Sequence, residues 1–201
     1  MTELEKLGEM ELDILKELGN IGCGHAATAL SKLLNKDVEM SVPEVKVGEI
    51  KTIFKEFVPD IVAGVIIALQ DLEENITGYL YIMFPEESAR KIAGDLFNMG
   101  ELDEEMYESV IMEVGNILSS SFCDASADFM DIILLPSPPS FAVDVPTAVV
   151  DALISQMARK SDRIIMFESV LSSELDIEIY FALLPEDRLC DEIVKLSEYC
   201  K

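Results

Sequence analysis

The sequence predicts an α+β fold in which two αβ halves are related by a pseudo-two-fold axis, with an antiparallel-rich sheet and two long helices packed on it. Three observations predict it. Glu-Leu-Gly-Asn-Ile at 17–21 recurs as Glu-Val-Gly-Asn-Ile at 113–117, an offset of 96 residues. Apolar residues around both copies keep the three-and-four rhythm of an amphipathic helix. Each copy is followed by β-rich runs that end at a Pro-Glu pair.

The elements are taken in chain order. At the same offset Ile14, Leu15, Leu18, Ile21, Ala26, Ala29 and Leu33 become Val110, Ile111, Val114, Ile117, Phe122, Ala125 and Phe129. Long helices are therefore expected near 10–34 and 104–130. A strand is expected through Met40–Ile50, then a hairpin of Val58–Leu69 and Thr77–Phe84. The second half offers a counterpart strand near Ser140–Val145 and a hairpin of Arg163–Leu171 and Leu175–Leu184. Pro85-Glu86 and Pro185-Glu186 put a proline in a first helical turn and a glutamate at its positive end, so helices are expected at about 86–98 and 186–199. Val145–Arg159 reads as one more amphipathic helix, entered by Pro146, with Val149, Val150, Leu153, Ile154 and Met157 toward the core. That addition leaves the halves similar but unequal. Residues 1–201 read as one domain built of two repeats, about 9–99 and 104–201.

Composition narrows the function. Acidic residues outnumber basic ones 39 to 15, and a net charge of −24 repels phosphate backbones and anionic headgroups, which argues against nucleic acid and membrane partners. The acidic N-terminus does not resemble a signal peptide, and the longest apolar runs are too short to span a bilayer, so a cytoplasmic protein is expected. Cys23, Cys123, Cys190 and Cys200 form no CxxC pair and lie in apolar segments, as free thiols of a reducing compartment would. His25 is the single histidine, so a Ser-His-Asp triad or a multi-histidine metal site is not expected.

What the apolar pattern does not require is a polar stripe on each long helix: Asp13, Glu17 and Asn20 in one, Ser109, Glu113 and Asn116 in the other. Steps of four and three put each set on one face. A carboxylate acceptor then stands one turn from an amide that both donates and accepts, a pair suited to holding a water. An isolated Glu-x-x-Asn would read as a solvated helix face, but this one is duplicated. Gly19 and Gly115, inside the helices and directly before the asparagines, cost about 1 kcal/mol each relative to alanine, which suggests close approach of another helix or a partner. A proline stands 23 positions after each asparagine, at Pro43 and Pro139, placed to hold the next strand against the helix.

The pattern Asp/Ser-x3-Glu-x2-Asn-x22-Pro resembles the signature of the CheC, CheX and FliY phosphatase family, and it is present twice without a mismatch. GNIGCGHAATALSKLLNK with SVPEV, and GNILSSSFCDASADFM, look most like the CheC members, over roughly residues 9–201. The resemblance implies hydrolysis of the aspartyl phosphate on a CheY-like response regulator in chemotaxis. It implies that Asn20 or Asn116 orients the attacking water and that Glu17 or Glu113 engages the regulator's lysine, with Asp13, Ser109, Pro43 and Pro139 in support. No cofactor of the chain's own is implied, and Mg²⁺ is expected on the regulator. Two alternatives share the fold: a non-enzymatic flagellar-switch-like module, and an adaptor for the receptor deamidase CheD, whose contact on CheC resembles the segment around Asp151. The two sites differ in the turn after the asparagine. Gly22 and Gly24 loosen the first helix and clear its surface, which favours the Asn20 site if close approach limits the rate, whereas Ile117-Leu118-Ser119-Ser120-Ser121 leaves the second stiffer and more crowded, which favours the Asn116 site if rigid water placement does.

Overall fold

The computed structural model describes residues 8–40, 44–97, 103–156, 163–172 and 177–199. The first half runs α1 (Glu9–Leu34), β1 (Glu39–Met40), β2 (Glu44–Glu49), α2 (Ile50–Phe57), β3 (Val62–Gln70), β4 (Ile76–Pro85) and α3 (Glu86–Phe97). The second runs α4 (Glu104–Met130), β5 (Leu135–Pro136), β6 (Ser140–Asp144), α5 (Pro146–Gln156), β7 (Arg163–Ser172), β8 (Ile177–Pro185) and α6 (Asp187–Tyr199). The order αββαββα is thus written twice.

Local chemistry sets the ends of the two long helices. Glu11 Oε2 accepts the Gly8 N–H at 2.8 Å at the start of α1, and the Asp103 carboxylate accepts the Met106 N–H at 2.8 Å at the start of α4. Both helices stop on a left-handed residue at equivalent places: Asn35 (φ 50°, ψ 42°) and Asp131 (φ 52°, ψ 44°). Asn and Asp tolerate that conformation better than other side chains, and the next N–H turns back to Ser31 O at 3.2 Å and to Ala127 O at 3.1 Å.

The eight described strands form one sheet in the order β1-β7-β8-β4-β3-β5, with β2 also on β7 and β6 also on β3. All pairings are antiparallel. The centre is β4 against β8, where Tyr81 pairs with Ala182 and Ile82 with Phe181, and the pseudo-two-fold axis passes between them. The outer strands are exchanged: β2 of the first half pairs with β7 of the second, Val45 opposite Phe167, while β6 pairs with β3, Phe141 opposite Val65. Each half lays its first strands on the other half's hairpin. The helices α1, α3, α4 and α6 cover one sheet face through Leu18, Ile82, Phe122 and Phe181. The helices α2 and α5 cover the other through Phe54, Tyr81, Val150 and Met166.

Three expectations need correction. The run Met40–Ile50 is not one strand: β1 ends at Met40, β2 starts at Glu44, and Ile50 opens α2. Helix α2 occupies a stretch that reads as strand and connection because it is eight residues long and sits between β-rich runs, although Ile50, Ile53, Phe54 and Phe57 keep helical spacing. It is the counterpart of α5 at the 96-residue offset, so the halves match element for element and are not unequal. Pro85 and Pro185 close strands rather than entering helical turns, with α3 starting at Glu86 and α6 at Asp187. Leu175, Met157 and Arg159 lie outside the described residues.

Candidate functional site

The long helices place the duplicated stripe. Leu15, Leu18 and Cys23 of α1, with Val110, Ile111, Val114 and Leu118 of α4, are buried and fix which face of each helix meets the core. The opposite face then carries Asp13 and Glu17, and Ser109 and Glu113, all exposed. Asn20 and Asn116 are half-buried at the inner margin of that face. Residues three apart on a helix have β-carbons about 5–6 Å apart, so each glutamate and asparagine can address one small ligand together.

Close packing explains one of the costly glycines. A β-carbon at Gly115 would stand 2.7 Å from the Val65 side chain, so the missing side chain lets α4 settle onto β3. The neighbour that Gly115 admits is the sheet, not a further helix or a partner. Gly22 does the same between helices: a β-carbon there would lie 2.6 Å from the Phe122 ring. Phe122 itself packs on Phe167 and Phe181, which are opposite one another on β7 and β8, with ring centroids at 5.7 and 5.8 Å. Gly22 is therefore buried and does not clear a docking surface.

The two copies differ in detail. Asn20 Oδ1 is buried with no hydrogen-bond partner among the described residues, a condition that costs about 1–3 kcal/mol. At the second site the buried Ser119 hydroxyl donates to the Asn116 backbone carbonyl at 2.9 Å, bracing the turn that carries the asparagine. Its counterpart in α1 is Cys23, a buried thiol that burial pushes well above the ordinary thiol range. Burial pushes Cys123 up as well, to about 12. Asp13 does not turn toward the stripe: its carboxylate meets Lys16 at 3.4 Å, an exposed pair of small energetic weight. Pro139 stands just before β6, and Pro43 lies outside the described residues. Asp151 is exposed on α5, on the sheet face away from both stripes, with Lys51 at 3.7 Å.

Sequence reasoning missed the surface between the stripes. A groove of about 620 Å³ runs between α1 and α4, lined by His25, Thr28 and Lys32 from one helix and Ile117, Ser121 and Asp124 from the other. At the offset of 96, His25 answers to Ser121 and Thr28 to Asp124, so symmetry-related residues line one groove and the pseudo-axis passes through it. The repeat itself held that signal. No helix among the described residues is long and apolar enough to cross a membrane.

Fold and site together define a duplicated α+β protein that presents a Glu-Asn pair from each of two long helices packed side by side. The CheC-like family model matches the chain twice, over residues 10–47 and 106–143, which are the two motif helices and the strands after them. The chain is 29% identical to the CheY-P phosphatase CheC of Bacillus subtilis (strain 168) over 201 residues, covering 92% of this chain and 93% of the relative. Its fold is similar to the crystal structure of Thermotoga maritima FliY, with a TM-score of 0.75 at 21% identity, covering 97% of this chain and 99% of that one. It is also similar to a chain in the CheX–CheY complex with beryllium fluoride and Mg²⁺ from Borrelia burgdorferi, with a TM-score of 0.53 at 18% identity over 81% of this chain and 94% of that one.

Proposed function

We propose that this protein is a phosphoaspartyl phosphatase that dephosphorylates a CheY-like response regulator in chemotaxis, by completing the regulator's own active site. The observation that carries the reading is the Glu-x-x-Asn pair, an exposed glutamate with a half-buried asparagine, on α1 and again on α4, at equivalent turns of duplicated helices. The B. subtilis relative named as a CheY-P phosphatase and the similarity to the CheX–CheY complex support it. In this reading the side-chain amide of Asn20 or Asn116 hydrogen-bonds a water and holds it in line with the phosphorus. The water oxygen bonds to phosphorus, the phosphorus–oxygen bond to the aspartate breaks, and the carboxylate leaves while both water protons depart with the phosphate. Glu17 or Glu113 pairs with the regulator's lysine and fixes the angle of approach. Mg²⁺ belongs to the regulator and neutralises charge on the phosphoryl oxygens. Orientation of a loosely held water is worth several kcal/mol, enough for a rate gain of 100-fold or more, since about 1.4 kcal/mol is tenfold.

The direct test adds the protein, well below stoichiometry, to a phosphorylated CheY-like regulator and monitors release of inorganic phosphate. Many turnovers per chain are expected. An unchanged phosphate lifetime contradicts the proposal.

We further propose that a second partner, CheD, docks on a different face. Asp151 on α5 is exposed beside a pocket of about 400 Å³ between α2 and α5, across the sheet from the stripes. Capture of CheD that is abolished by Asp151→Lys, with phosphate release unchanged, is the expected result. Equal capture by the variant contradicts this placement.

A further inference from the structure

The geometry points to mutual exclusion: the Asn20 and Asn116 sites share one footprint, so a chain engages a single regulator at a time although it carries two complete stripes. The inference rests on the phosphatase reading and adds a stoichiometry to it.

The register of α1 against α4 fixes the distance between the sites. Gly22 faces Phe122, and the 96-residue offset turns that pair into Ala26 facing Leu118, so both pairs are satisfied only if the helices run antiparallel about an axis near Gly24 and Ser120. The antiparallel pairing of β4 with β8 about the same axis agrees. Asn20 and Asn116 each stand four residues from that axis, on opposite sides of it. With a rise of 1.5 Å per residue they are about 12 Å apart along the helices. Packed helices are separated by about 8–10 Å between axes and their α-carbons lie about 2.3 Å off each axis, so the two α-carbons are at most about 19 Å apart whatever the crossing angle.

The size of a regulator sets the distance that two of them would need. Even a 100-residue domain has a radius of gyration of about 13 Å, hence a diameter of roughly 34 Å. Two such bodies resting on one face need contact points about that far apart, well beyond what α1 and α4 offer. Both stripes are exposed on helices whose opposite faces pack into the core, and the groove between α1 and α4 reaches Ile117, next to Asn116. A regulator of that size seated over either asparagine overhangs the approach to the other site.

The experiment uses the intact chain and a CheY-like regulator loaded with beryllium fluoride and Mg²⁺, a phosphoryl mimic that does not turn over. Sedimentation equilibrium at saturating regulator should give the mass of one chain plus one regulator. Two charge-reversed variants, Glu17→Arg with Asn20→Arg and Glu113→Arg with Asn116→Arg, should each still bind one regulator. A complex holding two regulators overturns the inference. So does a variant that binds none while the wild type binds one, because a single competent site then explains the ratio. No binding by the wild type, together with no effect on phosphate lifetime, sinks the phosphatase reading itself and the exclusion with it.

Discussion

Phe122 of α4 lies against Gly22 of α1 so closely that a β-carbon at position 22 would stand 2.6 Å from its ring. The ring has little room to retreat toward the sheet, because Phe181 stacks on it with an interplanar angle of 18° and Phe167, opposite Phe181, packs on it as well. Gly22→Ala should therefore destabilise the fold. Overpacking of this kind costs about 1–3 kcal/mol, against about 1 kcal/mol regained in helix propensity. Chemical denaturation should show a lower midpoint at unchanged slope, and a raised midpoint would contradict the packing described.

The two asparagines sit on differently braced turns, since Ser119 holds the Asn116 carbonyl and Cys23 stands in its place beneath Asn20. If placement of the water limits the rate, Asn116→Ala should remove more than half of the phosphate-release activity and Asn20→Ala less than half. Separate rates for the two variants decide this. A larger loss from Asn20→Ala would show that closeness of approach matters more than stiffness.

Charge also differs across the groove. The exposed Lys32 of α1 shares the groove with Ile117, next to Asn116, and its counterpart at the offset of 96 is Asp128. A partner carrying phosphoryl and carboxylate groups should meet the Asn116 site more readily. In the Asn20→Ala background, Lys32→Glu is expected to lower kcat/KM several-fold, chiefly through encounter. The effect should fade as salt shortens the screening length from about 10 Å at 0.1 M to about 3 Å at 1 M. A salt-independent loss would mean that Lys32 acts through packing.

Acid stability should depend on Asp71. Its carboxylate accepts from the Asn75 side chain, from the backbone N–H groups of Asn75 and Glu73 at 3.0 and 2.9 Å, and pairs with Arg188. The Asn75 amide leads in holding it below the usual value of 3.8, with the backbone bonds and Arg188 assisting against partial burial. A carboxyl lowered on folding contributes stability above its unfolded value and loses that contribution as pH falls through the folded one. Wild type should therefore exceed Asp71→Asn in stability at neutral pH, and the gap should close below about pH 4. A gap that persists at pH 2 would assign it to shape rather than charge.

The repeat made most of this fold legible. The offset of 96, carried by Glu17–Ile21 and Glu113–Ile117, located the long helices to within a residue, because their burial stripe is long enough to average out local exceptions. The exchange of β2 and β6 between halves was not legible, since alternation along a strand says which face is buried and not which strand lies alongside. Helix α2 escaped for lack of length. Within the site, the stripe could be read from spacing alone, whereas the bracing of Asn116 by Ser119 and the burial of Gly22 depend on what the other elements bring to those positions. The groove lay between the two observations: each wall was in the sequence, but only the crossing of α1 over α4 makes them face one another.

The most direct test of the account is phosphate release from a phosphorylated CheY-like regulator in the presence of the double variant Asn20→Ala with Asn116→Ala, its fold verified by an unchanged far-ultraviolet circular dichroism spectrum and denaturation midpoint. The account predicts that the regulator's phosphate then decays at its intrinsic rate, as though no protein had been added. Acceleration equal to that of the wild type would contradict the claim that the paired asparagines orient the attacking water.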